Sequence, residues 1–338
     1  FATRCFLWAS RKLRRLRRAS WYCVCMYDAI IIGAGPAGVS CAMWLKQLGF
    51  KPLVLEKNAT AGGLQLQNPY DNTFIATSSP IPGPDVARTM QDNLRHHRIE
   101  ALFNITAKSA TKVETGDTST YRVEASNGAV YEGKTLVLAT GVRHKTLGLA
   151  SRANLILGSG HVIASRDFTG ANVAILGGGD SAFENYRFVL ERGAASATIF
   201  ARNIRASVEQ LRHVPPEHVV LGHCVFDSDT NQVNGEIYSH VLVLYGYEAP
   251  VEALLGLPLL MKTSGFVQTD ATTMTSISGV YAIGEIAQAM HPCTVTAMAE
   301  GIVAAKAIQT RLSQDTVAKY KSLTKRVIGL AEKIMSRE

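Results

Sequence analysis

A glycine-rich segment near the start of the chain contains the residues whose types and spacing predict a chemistry most directly. It reads GAGPAG at positions 33–38 and follows the apolar run Ala29–Ile32. Gly33 allows a tight turn, Gly35 lets a pyrophosphate approach the backbone, and Gly38 lets the following helix pack closely on the strand. The free N–H groups at the start of that helix also attract an anion. We therefore expect a phosphate-binding turn here.

An acid completes this pattern at the end of the next apolar run. Pro52–Leu55 reads as a short buried strand, and Glu56 follows it directly. A carboxylate at this point can accept hydrogen bonds from an adenosine ribose. Because a strand, a turn, a helix, a second strand and an acid follow in this order, the segment predicts a dinucleotide site.

A second unit of the same kind begins near residue 172. Val173–Leu176 runs into GGGDSA at positions 177–182, where Ala182 takes the last fingerprint position and still permits close packing. The next predicted strand is followed by Arg202 and Arg205 instead of an acid. Guanidinium groups suit a 2′-phosphate, whereas an acid would accept from a free 2′-hydroxyl. This difference favours NADPH, with NADH as the alternative.

Further strands must surround these two units. Buried strands ending in small-residue turns are predicted at 136–141 and 280–285. Polar alternation predicts a small antiparallel meander over Lys112–Val113, Thr120–Ala125 and Ala129–Tyr131.

Helices are predicted by apolar residues at helical spacing. Beyond the helices that follow the two glycine turns, we expect one near Asp85–His97, one over Val295–Arg311 and a separate amphipathic one over Asp315–Met335. In the first helix, the same spacing assigns Cys41 and Trp44 to the core.

Length and composition indicate a globular protein of about two domains. The chain has 338 residues, of which 47% are hydrophobic and 18% charged. Most of the net charge of +8 lies in residues 1–25, which are rich in arginine and contain no acid. That leader is either an organellar transit peptide or a non-native extension. The rest has no basic field for specific nucleic-acid binding, and we expect no membrane span.

The six cysteines show neither C-x-x-C spacing nor a pattern typical of zinc ligation. We therefore predict no metal site and a reducing compartment. This favours the cytoplasm, with organellar import as the alternative if the leader is native.

Five motifs together make the chain resemble the low-molecular-weight thioredoxin reductase-like flavoproteins. They are GAGPAG (33–38), GGLQ (62–65), ATG (139–141), GGGDSA (177–182) and GVYAIGE (279–285). The resemblance implies an α/β fold with two Rossmann-like dinucleotide-binding domains, the NAD(P) domain being inserted in the FAD domain. It also implies a homodimer.

The resemblance further assigns site residues. Those expected to bind FAD are Gly33, Gly35, Pro36, Ala37, Gly38, Glu56, Lys57, Gly63, Gln65, Thr140, Gly141, Gly284, Glu285 and Thr294. Those expected to bind NAD(P)H are Gly177, Gly179, Asp180, Ser181, Ala182, Arg202 and Arg205. Glu184 matches the acid that the family places near the nicotinamide.

The chain departs from the family pattern at four places, one of which is Cys293, near where the family presents a polar side chain to the flavin pyrimidine edge. Where thioredoxin reductases carry C-x-x-C, residues 160–163 read GHVI, so the usual dithiol route to thioredoxin is not expected. Gly284-Glu285 replaces the Gly-Asp pair that holds the FAD ribityl chain. Ala201 and Asn203 replace the neighbours of the first arginine in the family's phosphate clamp.

Cys293 and two histidines are candidates for chemistry beside the flavin. A thiol at a helix start can have a lowered pKa, and we hypothesise that Cys293 tunes the flavin. A small buried cysteine that only fills space is the alternative. His291 and His161 are candidate acids, with an ordinary surface histidine as the alternative for each.

These observations predict a discontinuous architecture and an oxidoreductase. Residues 26–146 and 247–311 should form the FAD-binding domain, 147–246 the NAD(P)H-binding domain and 312–338 a C-terminal helical tail. Electrons should pass from NADPH through FAD directly to an external acceptor, either a ferredoxin-like carrier or a small disulfide. The alternative is an FAD-binding redox sensor or structural flavoprotein without turnover.

Overall fold

The computed structural model describes residues 26–116 and 118–335, with the side chains of the last helix described up to residue 314. The predicted leader, residues 1–25, lies outside the described residues. Within them, no helix has the length and apolar character that a membrane crossing requires.

The chain alternates strands and helices from its first described residues. The strands are β1 (Tyr27–Ile32), β2 (Pro52–Leu55), β3 (Asp71–Asn72), β4 (Ile81–Pro82), β5 (Glu100–Leu102), β6 (Ala107–Thr115), β7 (Thr118–Ala125), β8 (Val130–Leu138), β9 (Arg143–His144), β10 (Leu155–Leu157), β11 (Asn172–Leu176), β12 (Ser196–Ala201), β13 (Val219–Leu221), β14 (Phe226–Asp227), β15 (Gln232–Val233), β16 (Glu236–Ile237), β17 (His240–Val243), β18 (Tyr247–Glu248) and β19 (Val280–Ala282). The helices are α1 (Pro36–Gln47), α2 (Gly83–His96), α3 (His161–Ala164), α4 (Asp180–Glu191), α5 (Val208–Leu211) and α6 (Thr294–Met335). Short 3₁₀ turns occupy Gly63–Gln67, Pro216–His218, Val251–Leu254 and Gly284–Ile286.

A seven-stranded sheet forms the larger layer, in the order β5-β2-β1-β8-β7-β6, with β19 also paired to β8. The strands β5, β2, β1, β8 and β19 are parallel, and both faces of β1 are covered. Ala29 and Ile31 pack on the side of α1, α2 and α6, whereas Ile30 and Ile32 pack on the opposite side. This two-sided burial confirms the continuous apolar pattern of the predicted first strand.

The predicted meander is part of this sheet, and its third strand is longer than expected. One strand, β8, includes both residues 130–131 of the predicted third meander strand and the buried run that begins at Leu136. Its first half pairs antiparallel with β7, and its second half pairs parallel with β1 and β19. The prediction of two separate strands was wrong because the polar start of β8 has one exposed face and its apolar end has none.

A five-stranded parallel sheet forms the second unit, in the order β10-β17-β11-β12-β13. The predicted strand, glycine turn, helix and strand are confirmed as β11, α4 and β12. Phe183 and Val189 of α4 pack on one face of this sheet, whereas Leu176 and Phe200 lie on the other.

Two short strands carry the chain between the two sheets. The chain leaves the larger sheet through β9 and returns through β18, and these strands pair with each other, His144 opposite Tyr247. Arg143 forms ion pairs with Glu248 and Glu252 at this crossing. Both pairs are exposed, so they contribute little to stability.

The C-terminal helix differs from the prediction because it does not stop at Arg311. A single helix, α6, runs from Thr294 to Met335 and includes the segment that was expected to be separate. It packs on α1 at Gly301, where a Cβ would overlap the carbonyl oxygen of Ala37 and lie 2.8 Å from the amide nitrogen of Cys41. The segment 312–314 does not contain glycine or proline, so no residue there breaks the helix.

The prediction that Trp44 belongs to the core was wrong, although Cys41 is fully buried as expected. Trp44 is 41% exposed, whereas Ala42 and Leu45 have no exposed surface. The face of α1 that packs on the protein core contains Cys41, Ala42 and Leu45, and Trp44 lies beside that face. Helical spacing alone did not say how wide the covered face is.

Candidate functional site

A cavity of about 850 Å³ lies at the carboxyl ends of β1, β2, β8 and β19. Its volume falls within the roughly 300–1,000 Å³ that is usual for cofactor sites. Ligands of parallel α/β sheets bind at this edge, where strand order reverses on either side of the first strand. The predicted FAD residues that line the cavity are Gly33, Gly35, Pro36, Ala37, Glu56, Lys57, Gly63, Gln65, Thr140, Gly141, Gly284, Glu285 and Thr294.

The first glycine turn has the geometry that its sequence predicted. Gly33 has a φ of +107°, and a Cβ there would overlap the carbonyl oxygen of Ala139. A Cβ on Gly38 would overlap the carbonyl oxygen of Gly33, so Gly38 serves close packing and does not line the cavity. Gly35 faces Gly63 across the cavity wall, since a Cβ on Gly63 would come within 3.1 Å of the Gly35 Cα. Gly33 and Gly38 are therefore required by close backbone packing, and the backbone of Gly35, which lines the cavity, stays open to a pyrophosphate.

Glu56 is buried at the end of β2, with only 4% of its surface exposed. Its Oε2 accepts the N–H of Ala34 at 2.7 Å, and its Oε1 accepts the N–H of Asn58 at 2.8 Å. A carboxylate oxygen can accept two hydrogen bonds, and each oxygen of Glu56 accepts one here, so both can still accept from a ligand hydroxyl. The backbone contacts therefore fix the carboxylate at the cavity wall and leave it free to bind a ribose.

Thr140 provides a test of whether the cavity suits a polar ligand. Its Oγ1 is buried and has no hydrogen-bond partner among the described residues. Gly141, which follows it, has a φ of +66° and open space where a Cβ would lie. A buried hydroxyl without a partner costs free energy, and a bound cofactor with oxygen atoms would remove that cost. The residues at this end of the cavity therefore fit FAD.

A hydrogen-bonded chain of side chains holds Gln65 at the cavity wall. Its Nε2 donates to the Thr294 hydroxyl at 2.7 Å, and its Oε1 accepts from Asn72 at 2.9 Å. Asn72 was not predicted, and it also lines the cavity. The amide of Gln65 is thus oriented by two partners that lie far apart in the sequence.

Glu285 lies in the 3₁₀ turn after β19 and is half-buried at the cavity wall. Burial raises the pKa of its carboxyl group. The turn itself is held by Glu300 of α6, whose Oε2 accepts the N–H of Gly284 at 2.5 Å. Glu300 was missed by the sequence reasoning, although it is 98% buried and charged residues are seldom buried without a partner.

Cys293 caps the start of α6 and lines the cavity, whereas His291 does not line it and is exposed. The Cys293 Sγ lies 3.3 Å from the Thr296 hydroxyl, and that hydroxyl also accepts the N–H of Cys293 at 3.2 Å. Burial raises the pKa of the thiol, but hydrogen bonds from the Thr296 hydroxyl and from the backbone outweigh it, so the pKa lies below its usual value.

The second glycine turn lies apart from this cavity, on the five-stranded sheet. Gly177 and Gly178 are required by close packing, because Cβ atoms there would press on the carbonyl oxygens of Leu244 and Asn203. Gly179 has open space around it and precedes α4. Ser181 and Ala182 belong to the first turn of α4, and Arg202 and Arg205 are exposed beside this turn.

Asp180 has a role that the sequence did not predict. Its Oδ1 accepts the backbone N–H of Ser207 at 2.6 Å. The N–H of Arg205 donates to the carbonyl of Gly178 at 2.6 Å. Both bonds tie the arginine-containing loop to the glycine turn, so Asp180 shapes the surface on which a dinucleotide would lie.

Glu184 lies where the two units meet. Burial raises the pKa of its carboxyl group, and the Asp180 carboxylate adds to this rise. Tyr70 approaches from the side of the larger sheet. Burial raises the pKa of Tyr70 most, and the negative charge of Glu184 raises it further. The Tyr70 hydroxyl donates to Asn185 at 3.3 Å, and the Tyr70 ring packs edge-on against Phe188. Tyr70 is therefore a direct contact between the two units.

His144 lines the cavity, although the sequence reasoning assigned it no role. Its ring packs on Tyr247, with ring centres 4.5 Å apart, and its Nε2 accepts the N–H of Ser159 at 3.3 Å. Burial lowers the pKa of this imidazole. Only the pairing of β9 with β18 places His144 and Tyr247 together, and no local pattern in the sequence indicates it.

Residues 160–163 comprise the residue before α3 and the first three residues of this helix, next to the cavity but outside it. A Cβ on Gly160 would lie 2.6 Å from the carbonyl oxygen of Gln67, which lines the cavity. His161 is exposed and has no place in the cavity wall. The three described cysteines, Cys41, Cys224 and Cys293, are all free.

Comparison with known proteins places this geometry in one family. The model of the pyridine nucleotide-disulphide oxidoreductases matches residues 27–301. A thioredoxin reductase from Streptomyces clavuligerus is 28% identical over 303 residues, covering 82% of this chain and 91% of the relative. A ferredoxin–NADP reductase from Ignicoccus hospitalis is 26% identical over 305 residues, covering 82% and 96%.

Solved structures share the fold at lower identity. The crystal structure of Lactococcus lactis thioredoxin reductase has a TM-score of 0.71 at 22% identity, covering 85% of this chain and 99% of that one. The bacillithiol disulfide reductase of Staphylococcus aureus has a TM-score of 0.69 at 20% identity, with the same coverage. These similarities confirm the predicted α/β fold with two Rossmann-like domains. The chain belongs to the pyridine nucleotide-disulphide oxidoreductase family, and within it the chain is a thioredoxin reductase-like flavin-dependent NAD(P)H oxidoreductase.

Proposed function

We propose that this protein passes electrons from NADPH through FAD directly to an external acceptor, without a protein dithiol between them. The observation that carries the proposal is the composition of the cavity wall. Cys293 is the one cysteine among its lining residues in the described part of the chain, and residues 160–163 beside it contain none. Reduction of a protein disulfide relay needs two thiols, so the acceptor must reach the cofactor itself.

Residues 26–146 and 247–311 would hold FAD, which supplies the redox chemistry that amino-acid side chains lack. Gly33 and Gly35 would let the pyrophosphate approach the backbone. Glu56 would accept hydrogen bonds from the ribose, and Thr140 would bond to the cofactor with its otherwise unpartnered hydroxyl. Gln65 and Thr294 would fix a polar edge of the ring system through their mutual hydrogen bond.

Residues 147–246 would bind NADPH at the second glycine turn. The open space at Gly179 admits a pyrophosphate, and the N-terminus of α4 favours its negative charge. Arg202 and Arg205 are exposed beside this turn and suit a 2′-phosphate. Glu184 faces the junction with the first unit, where a nicotinamide would lie.

The names of two similar proteins suggest two classes of electron acceptor. Ignicoccus hospitalis provides a ferredoxin–NADP reductase, and Staphylococcus aureus provides a bacillithiol disulfide reductase of the same fold. We propose that the electron acceptor is a ferredoxin-like carrier or a small disulfide. We also propose that the protein is a homodimer. A flavoprotein that senses redox state without turnover is the competing function, since Glu285 and the incomplete arginine clamp depart from the family.

Anaerobic rapid mixing of the FAD-loaded protein with NADPH tests the proposal. We expect the yellow colour of the oxidised flavin to bleach within seconds, and to return when a suitable acceptor is added. Ferredoxin and bis(2-hydroxyethyl) disulfide, added separately, distinguish the two acceptor classes. A flavin that stays yellow with both NADPH and NADH would establish the sensor or structural role instead.

Removing both exposed arginines should change the cofactor preference. In Arg202→Ala/Arg205→Ala we expect the apparent KM for NADPH to rise about tenfold or more, because charge-assisted hydrogen bonds to phosphate are lost. The KM for NADH should change little. Arg212→Ala, which removes an exposed arginine paired with Glu209, serves as the control. Equal effects on both nucleotides would exclude a 2′-phosphate contact.

A further inference from the structure

The segment from Gly284 to Cys293, called the 284–293 loop below, connects the end of β19 to the start of α6. It carries Glu285 at one end and Cys293 at the other, and both line the cavity. Behind the loop is a second cavity of about 10 Å³, lined by Glu285, Cys293 and Glu300 among others. This space holds about one water molecule at most. The loop is therefore a thin wall whose position decides where Glu285 and Cys293 lie.

Glu300 binds the loop from the side of α6. Its carboxylate accepts the N–H of Gly284 at 2.5 Å. The backbone N–H of Met290 also acts on this carboxylate and lowers its pKa, against the larger, raising effect of burial. One buried carboxylate of α6 thus binds the first residue of the loop. This bond crosses from the long helix α6 to the 3₁₀ turn at Gly284–Ile286, where the loop begins.

Lys262 binds the same loop through its carbonyl groups. Its Nζ donates to the carbonyl of Ala287 at 2.7 Å and to that of Gln288 at 3.0 Å. The positive charge of Lys262 also acts on the Glu300 carboxylate and lowers its pKa. The loop is therefore held through one N–H group by a carboxylate and through two carbonyl groups by an ammonium group.

The backbone of the loop needs this support. Gly284 has a φ of +73°, which glycine adopts without cost. Gln288 has a φ of +44°, in a region that non-glycine residues seldom occupy. Such a conformation persists where the surroundings hold it, and the carbonyl of Gln288 is one of the two that Lys262 binds.

We propose that Glu300 and Lys262 are a pair of positioning residues that hold the 284–293 loop and thereby orient Glu285 and Cys293 toward the cofactor. The inference rests on the proposed function for the identity of the cofactor. Neither residue of the pair is required to touch FAD. The pair sets the shape of the cavity wall, which a residue that only stabilised α6 would not do.

Glu300→Gln is the sharpest test, because glutamine has the same shape but replaces the charged acceptor of the Gly284 N–H with a neutral amide. We expect the affinity of the apoprotein for FAD to fall about tenfold, since a charge-assisted hydrogen bond is lost. In the absence of FAD, we expect iodoacetamide to alkylate Cys293 at least about threefold faster in Glu300→Gln than in the wild type, because the loop of the variant opens more often. Peptide mass spectrometry identifies the alkylated cysteine.

Three further variants complete the experiment. Lys262→Met should also lower the FAD affinity and speed the alkylation of Cys293, by smaller factors. This variant tests the proposal if Glu300→Gln does not fold. Glu300→Asp keeps the charge and should recover part of the FAD affinity. Glu114→Gln removes an exposed carboxylate on β6 and should leave both measurements unchanged.

The experiment distinguishes failure of the proposed function from failure of the positioning role of Glu300 and Lys262. If the wild-type protein binds no FAD, the proposed function is wrong, and alkylation of Cys293 in the apoprotein still decides the role of the pair. If Glu300→Gln and Lys262→Met both keep the wild-type alkylation rate and FAD affinity, the pair does not position the loop.

Discussion

Gly33→Ala is expected to yield a protein that binds no FAD and unfolds at a clearly lower urea concentration. A Cβ at this position overlaps the carbonyl oxygen of Ala139, and the φ of +107° is unfavourable for alanine. Ala139 cannot move away freely, because its N–H donates to the carbonyl of Ile32 at 2.9 Å. We expect a loss of about 3–4 kcal/mol from the overlap and the strain together. Urea unfolding and the flavin absorbance of the purified protein measure the two effects.

Gly49→Ala separates the overlap from the backbone strain. Gly49 also has a positive φ, +85°, but a Cβ there meets nothing within 4 Å. This variant should lose about 1 kcal/mol and keep its FAD. If Gly33→Ala binds FAD as well as Gly49→Ala does, the close approach of β1 to the turn after β8 is not what forms the pyrophosphate site.

Glu56→Gln is expected to lower the affinity for FAD roughly a hundredfold, or by about 2.7 kcal/mol. The carboxylate now accepts the N–H groups of Ala34 and Asn58. A glutamine has one acceptor oxygen, so its amide N–H₂ would face one of these donors and leave that donor without a partner. The same change removes an acceptor for the ribose hydroxyls. Titration of the apoprotein with FAD, followed by flavin fluorescence, gives the affinity.

Glu124→Gln is the matched control for this prediction, because it removes a carboxylate from the same sheet at an exposed position on β7. It should bind FAD like the wild type. An unchanged affinity in Glu56→Gln would show that the ribose is recognised elsewhere in the cavity. A loss of folding in Glu56→Gln would instead show that the main role of Glu56 is to stabilise the fold through its two backbone contacts, and not to bind the ligand.

Both predictions concern the point where local sequence and tertiary structure agree most closely. The glycines of the first turn and Glu56 were recognised because a strand, a tight turn and a helix impose residue types within a few positions of one another. Steric limits on φ act on each residue separately, so a sequence displays them directly. The same reasoning located β11 and α4 of the second unit.

Long-range features were predicted less well. Trp44 was assigned to the core because helical spacing identifies a face, but only packing against α6 and the sheet decides which part of that face is covered. The two segments of β8 were separated because their burial differs, although one strand can have a different partner at each end. The continuous α6 was divided at 312–314, where the apolar pattern weakens without a residue that ends a helix.

Sequence alone determined which segments form the glycine turns before α1 and α4, because glycine or a small residue is needed there for reasons within the segment. It also determined that residues 160–163 offer no dithiol. Tertiary structure alone decided that Gln65 meets Thr294, that His144 packs on Tyr247, and that Glu300 and Lys262 bind the 284–293 loop. These contacts join residues from different strands and helices, and their hydrogen bonds depend on distances that chain folding creates. A buried charge such as Glu300 is recognisable only when its partners are known, since its cost or benefit depends on them.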